Sequence, residues 1–192
     1  MQERRTQEAR RQATRKALLD AARRHFAERG YAGTNTPDVV AEAGVTRGAL
    51  YHHFADKKTL FVAVVEAEHA SLAEAINAAA DGDEPGPVKA LIEGGDAYLK
   101  AMEDEGRRRI LLIDAPAVLE RDVLEAINAR YGLKTLVDGV DAAIKAGAIR
   151  DLPAEPLAQL LDALFDRAAL APPEQLPNYR KAIKAMIRGL KT

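Results

Sequence analysis

The chain has 192 residues, 47% of them hydrophobic and 30% charged, with a formal net charge of -1 and no cysteine. That length allows one large domain or two small ones, and the absence of cysteine excludes disulfides, a thiol redox switch and a Cys-based zinc site. No apolar run is long enough to span a bilayer (residues 110–113 are the most concentrated), and the charged N-terminus lacks the apolar stretch of a signal peptide, so a cytoplasmic protein is expected.

Residues 1–11 are polar and Arg-rich, which predicts a mobile arm carrying Arg4, Arg5, Arg10 and Arg11. A helix is predicted over 14–29, where Leu18, Ala22 and Phe26 fall on one face at i, i+4 and i+8. Asn35 and Thr36 are both good helix N-caps and Pro37 suits a first turn, so a short helix is expected over 37–43 with Val39, Val40 and Ala43 inward. Gly44 ends it, since glycine enters the left-handed conformation without a Cβ penalty. Val45 plugs the corner, and Thr46 caps a second short helix over 47–54. Two short helices joined by a tight glycine-containing turn form a helix-turn-helix, whose second helix enters the DNA major groove.

Asp56 opens a long helix to about residue 80. Its apolar side carries Phe61, Val64, Val65, Leu72, Ala75 and Ile76, with Glu68 interrupting it near the middle. The DGDEPGP run at 81–87 is the clearest linker. Further helices are predicted over 88–102, tolerating Gly94-Gly95, and over 107–114, stopping before Pro116. A long helix follows over 117–147, open to interruption near Gly132. The last two span 156–171 and 174–190, separated by Pro172-Pro173. No segment alternates as a strand does. The expected fold is all-α with about nine helices: an arm and helix-turn-helix domain over 1–55, then a ligand-binding and dimerisation domain over 56–192, with helix 56–80 joining the two.

Charge is unevenly placed. Residues 1–60 hold twelve Lys/Arg against seven acids, a balance of +5, so the remainder carries -6. A basic head on an acidic body suits a protein whose head meets phosphate.

The run Ala43, Gly44, Val45, Thr46, Gly48, Leu50, Tyr51, His53, Phe54, Lys57 and Leu60 resembles, in order and spacing, the signature of the TetR family of bacterial transcriptional regulators. Arg15, Leu18, Leu19, Ala21, Ala22, Phe26 and Gly30-Tyr31 resemble that family's first helix. Thr36 departs from it where an apolar residue is usual, and Val40 where Ala is usual. The close likeness covers roughly the first third of the chain.

The resemblance implies roles for the head. Thr46 caps the recognition helix and reaches phosphate. Arg47 reads a base edge, its fork matching O6 and N7 of guanine, a contact worth about 1–3 kcal/mol of discrimination. Gly48 lets the backbone approach the groove, and Ala49 meets a thymine methyl. Tyr51, His52 and Lys57 reach phosphates, as do Asn35 and Thr36 at the start of the preceding helix. Leu50, Phe54, Val45, Val39, Phe26 and Leu60 form the small core beneath. Adjacent helical residues point about 100° apart, so His52 and His53 do not readily share a metal ion. No metal or cofactor is expected.

For the body, the last two helices are the natural homodimer interface, through Leu157, Leu160, Leu161, Leu164, Ile183 and Ile187; the alternative is that these stripes are buried within one subunit. A pocket among the middle helices is expected, with His69, Tyr98, Asp114, Tyr131 and Phe165 as its polar and aromatic points, suited to an apolar or amphipathic small molecule. The segment RRRILLIDAPAVL at 107–119 places a helix break beside it. With no nucleophile elbow, metal motif or Walker loop, an enzyme is not expected. The reading is a ligand-responsive repressor that binds a near-palindromic double-stranded DNA operator as a homodimer. Its rivals are a helical protein-interaction module that has lost specific DNA binding and a sequence-indifferent nucleoid protein.

Overall fold

The computed structural model describes residues 2–80 and 86–192, and within them the fold is helical. Helix α1 (Gln2–Gly33) is longer than predicted: residues 7–11, expected in a mobile arm, are exposed turns of this helix. Its regular path breaks at Gly30, which sits at φ 71 and ψ 173. The following turn is closed by the buried Thr34, whose hydroxyl donates to the Gly30 carbonyl at 2.8 Å.

Helices α2 (Thr36–Ala43) and α3 (Arg47–His53) follow, then α4 (Lys57–Ala80). Of the predicted linker, residues 81–85 lie outside the described residues; Gly86 and Pro87 begin α5 (Pro87–Ala101). Residues 105–118 are one helical run: α6 (Glu105–Arg108), a π-helical turn (Arg109–Asp114) and α7 (Ala115–Val118). The predicted stop before Pro116 does not occur. Pro116 falls in the first turn of α7, immediately after the π turn, where the helical register has already shifted and a missing N–H is tolerated. The chain breaks instead at Leu119 and Glu120, both extended.

The helix expected over 117–147 is therefore divided. Its main part is α8 (Arg121–Arg130) and α9 (Gly132–Lys145), separated at Tyr131 (φ -120, ψ -93). Helices α10 (Ala154–Ala169) and α11 (Leu176–Arg188) complete the body. An antiparallel bridge, Ile149 to Lys191, ties the segment after α11 to the loop after α9.

One apolar core runs from head to body. Leu18, Phe26, Val39, Leu50 and Leu60 are fully buried in the head, and each such side chain contributes about 1.5–3 kcal/mol relative to exposure. The Phe26 and Phe61 rings meet edge-on at 4.9 Å, with Tyr31 5.0 Å from Phe61, locking α1 onto α4.

Glu68 breaks the apolar face of α4 because it anchors an ion network at the joint. Its buried carboxylate takes Arg23 of α1 at 2.7 Å and Arg107 of α6 at 2.6 Å, and Arg23 also reaches Asp104 at 2.8 Å. A buried carboxylate is tolerable only when so paired. Gly94 and Gly95 serve packing: a Cβ on Gly95 would lie 2.2 Å from the Phe165 ring, so α5 and α10 approach closely only because it is glycine.

Candidate nucleic-acid interface and body cavity

The head is built by caps. Asn35 accepts the Asp38 N–H at 2.9 Å at the start of α2, and Gly44 ends that helix at φ 65. Thr46 accepts the Ala49 N–H at 3.1 Å at the start of α3. Leu50 and Phe54 bury the inner side of α3, which leaves Arg47, Gly48, Tyr51 and His52 exposed and Ala49 half-exposed on the outer side.

The exposed side is cationic. Arg47 lies over the Tyr51 ring at 5.5 Å. Thr36, reaching across from α2, and Arg47 stabilise the phenolate of Tyr51 and lower its pKa. Arg15 of α1 lies over the Phe54 ring at 5.3 Å. Burial pulls the His53 pKa down, helped by the positive charges of His52, Arg11 and Arg15. The N-terminal turns of α1 thus extend the basic surface beside α3. At Gly48 an added Cβ would meet only the Thr46 hydroxyl, at 3.9 Å, so folding of the head does not demand glycine there.

Two predicted phosphate positions look different in place. The Lys57 ammonium is turned inward, donating to the carbonyls of Tyr31 at 2.9 Å and Thr34 at 3.0 Å and lying 4.2 Å from the centre of the Tyr31 ring. It caps the end of α1, whose carbonyls lack helical partners. At the start of α2, the Asp38 carboxylate is held by Arg29 at 2.7 Å and by the Asn35 amide at 3.1 Å. Asn35 is therefore occupied as a cap.

The body holds a cavity of about 350 Å³ between α4, α5, the π turn, α8, α9 and α10. Its walls are mostly aliphatic: Leu72 and Ile76 of α4, Leu91 of α5, Leu111 and Leu112 of the π turn, Leu133 and Leu136 of α9. Three of the predicted pocket residues, His69, Tyr98 and Phe165, line it. Asp114 and Tyr131 do not. Asp114 points the other way, to the end of α1, where it accepts the Tyr31 N–H at 2.9 Å. Tyr131 sits at the break between α8 and α9, beside the Arg130 guanidinium.

Sequence reasoning missed two carboxylates, Asp162 and Asp166, that face the cavity from α10. The available signal was a pair of acids at i, i+4 on the helix side that carries Phe165. Burial, and then the neighbouring Asp166, push Asp162 up to about 7. Burial also raises Asp166, against a hydrogen bond from the Tyr98 hydroxyl, and burial and Asp166 together raise Tyr98. Burial lowers His69 to about 4, so its ring is neutral near pH 7.

The predicted dimer residues divide. Leu161, Ile183 and Ile187 are buried within the subunit, at 3%, 3% and 1% exposure, because α10 and α11 first cover their own body. Leu160 is 66% exposed, with Leu157 and Leu164 half-buried on either side, and Met186 of α11 is 53% exposed. The outward apolar face is thus Leu157, Leu160 and Leu164 with Met186. Among the described residues, no helix is long and apolar enough to cross a membrane.

A capped, cation-lined reading helix on a helical body with an internal cavity defines a helix-turn-helix DNA-binding protein. Residues 18–64 match the family model for bacterial regulatory proteins of the tetR family, and residues 88–190 match that for the Tetracyclin repressor-like C-terminal domain. The chain belongs to the TetR family. It is 41% identical over 64 residues to the HTH-type transcriptional repressor AcnR of Corynebacterium glutamicum, covering 33% of this chain and 34% of that protein. It is 36% identical over 104 residues to the HTH-type transcriptional regulator AcrR of Shigella flexneri, covering 53% and 47%. These matches span a third to a half of the curated relatives' length. A TetR-family transcriptional regulator of known structure from Pectobacterium atrosepticum superposes with a TM-score of 0.79 at 33% identity, covering 96% of this chain and 97% of that one.

Proposed function

We propose that the protein is a transcriptional repressor that binds a near-palindromic operator as a homodimer and is released by a small apolar or amphipathic effector. The observation that carries the reading is the outer side of α3, where Arg47, Gly48 and Tyr51 stand exposed on a helix fixed by Thr46, Leu50 and Phe54. Arg47 has the reach and fork geometry for a guanine edge, and Tyr51 and His52 flank it for phosphates. Two such heads spaced about 34 Å apart engage successive major grooves on one side of the duplex. The apolar face of Leu157, Leu160, Leu164 and Met186 supports pairing of subunits through α10 and α11.

The effector route follows from what the π turn touches. Leu111 and Leu112 face the cavity, while Arg109 and Asp114, at the two ends of the same turn, hold the end of α1. A ligand that packs better against one arrangement of this turn biases the position of the head. It must favour the non-binding arrangement to release the operator. The test is selection of duplexes from a random pool with the purified protein, then titration of the selected site across salt. A recovered palindrome whose affinity falls steeply with salt supports the reading; uniform affinity for random duplexes would overturn it.

A further inference from the structure

Among the described residues, the acids other than Asp162 and Asp166 that are at least half-buried are paired. Glu68 has two guanidinium partners, Asp96 holds Lys184 at 2.6 Å, and Glu66 holds Arg130 at 3.0 Å. Asp162 and Asp166 differ. They lie one turn apart on α10, on the side facing the cavity, and among the described residues neither forms an ion pair. Among the described residues no Lys or Arg lines the cavity, and the one imidazole there, His69, is held neutral by burial. The Nδ1 atom of His69 is buried with no hydrogen-bond partner.

Unpaired carboxylates in an aliphatic chamber are costly, because a buried charge needs a counter-charge or a proton. A second feature stands beside them. The rings of Tyr98 and Phe165 lie 6.0 Å apart on the same wall, and the Tyr98 hydroxyl donates to Asp166. Aromatic faces attract organic cations, most strongly where water is excluded. An anion entering the cavity would find no cation and two repelling acids, and a purely apolar ligand would leave both acids without a counter-charge.

We infer that the cavity is an organic-cation site: an ammonium or guanidinium group lies against Asp162, Asp166 and the Tyr98 ring, and the ligand's apolar body fills the aliphatic remainder. This rests on the reading of the cavity as the effector site, and it narrows the effector from any amphiphile to a cationic one.

The test uses three probes that share one tail and differ in headgroup charge: octyltrimethylammonium, octanol and octanesulfonate. Their binding to the full-length protein is measured by titration calorimetry below micelle-forming concentrations. The expected order is octyltrimethylammonium at least about tenfold tighter than octanol, with octanesulfonate weakest. In D162N/D166N the cation's advantage should vanish while octanol still binds, and Tyr98→Phe, which keeps the ring, should retain most of the preference. Melting of each variant confirms that it folds. Equal affinity for octanol and octyltrimethylammonium, a preference that survives in D162N/D166N, or no binding by any probe would overturn the inference. Operator binding with and without octyltrimethylammonium separates the two readings. Selective binding that leaves the operator complex intact supports the cation site and removes the effector role.

Discussion

The backbone N–H of Tyr31 donates to the Asp114 carboxylate at 2.9 Å, across 83 residues of sequence. This bond joins the end of the first head helix to the π turn that also walls the cavity. Tyr31 is held on every side: its carbonyl takes Lys57, and its ring stacks with Phe26 and packs against Phe61. Arg109 completes the clamp by donating to the Glu28 carbonyl at 3.1 Å. Residue 30 is a glycine at φ 71, and the missing Cβ leaves room for the guanidinium, which would otherwise lie 2.7 Å from it.

Replacing Asp114 by Ala leaves the Tyr31 N–H unpartnered, at a cost of about 1–3 kcal/mol. The melting temperature should fall, while Asp114→Asn, which keeps an acceptor, should recover much of it. Operator affinity measured with and without an effector should show weakened coupling in the Ala variant. Unchanged coupling would mean that the π turn does not carry the signal.

Gly48 offers a test that separates folding from recognition. Helix formation favours Ala over Gly by up to about 1 kcal/mol, and a Cβ at this position meets nothing closer than 3.9 Å. Gly48→Ala should therefore melt at the same or a higher temperature than the parent, yet bind the selected operator more weakly, because the added methyl holds the helix away from the groove floor. A variant that is more stable and equally tight on DNA would show that α3 does not insert there.

Lys57 should behave as a structural residue. Its ammonium makes two charge-assisted bonds to backbone carbonyls, so Lys57→Met should destabilise the protein by about 2 kcal/mol. A residue that neutralises a phosphate shortens the salt slope of DNA binding when removed. Lys57→Met should leave that slope unchanged, provided the titration is run well below its melting temperature. A slope reduced by about one per head would return Lys57 to the DNA interface.

Local signals in the sequence were reliable wherever one residue acts on its own neighbours. Asn35, Gly44 and Thr46 cap their helices as their types predict, and Phe26, Val39, Leu50 and Leu60 fill the head core. What was not legible depends on partners distant in sequence. Lys57 is drawn inward by carbonyls more than twenty residues earlier, and Asp114 by an N–H at residue 31. The apolar stripes of α10 and α11 announce burial without saying against what, and Leu161, Ile183 and Ile187 turn inward while Leu160 turns out. Asp162 and Asp166 become cavity residues only through Tyr98 and the opposing helices, which close over them.

The acid pair also predicts how stability depends on pH. Asp162 titrates near 7 in the folded chain against an ordinary value of 3.8, so the folded state holds a proton that the unfolded chain has lost. The stability this contributes is complete below about pH 4 and disappears as pH rises through about 7; Asp166, raised in the same direction, acts with the same sign. His69 works in reverse. Its pKa drops from 6.5 to about 4, so its contribution is present above pH 6.5 and is lost as pH falls through about 4. Between about pH 4 and 6.5 the two oppose each other. Above 6.5 His69 has finished titrating and Asp162 has not. The melting temperature should therefore decline between pH 6.5 and 8, and Asp162→Asn should lessen that decline. Parallel melting profiles for parent and variant across this interval would mean that Asp162 is ionised and solvated rather than held in the cavity wall.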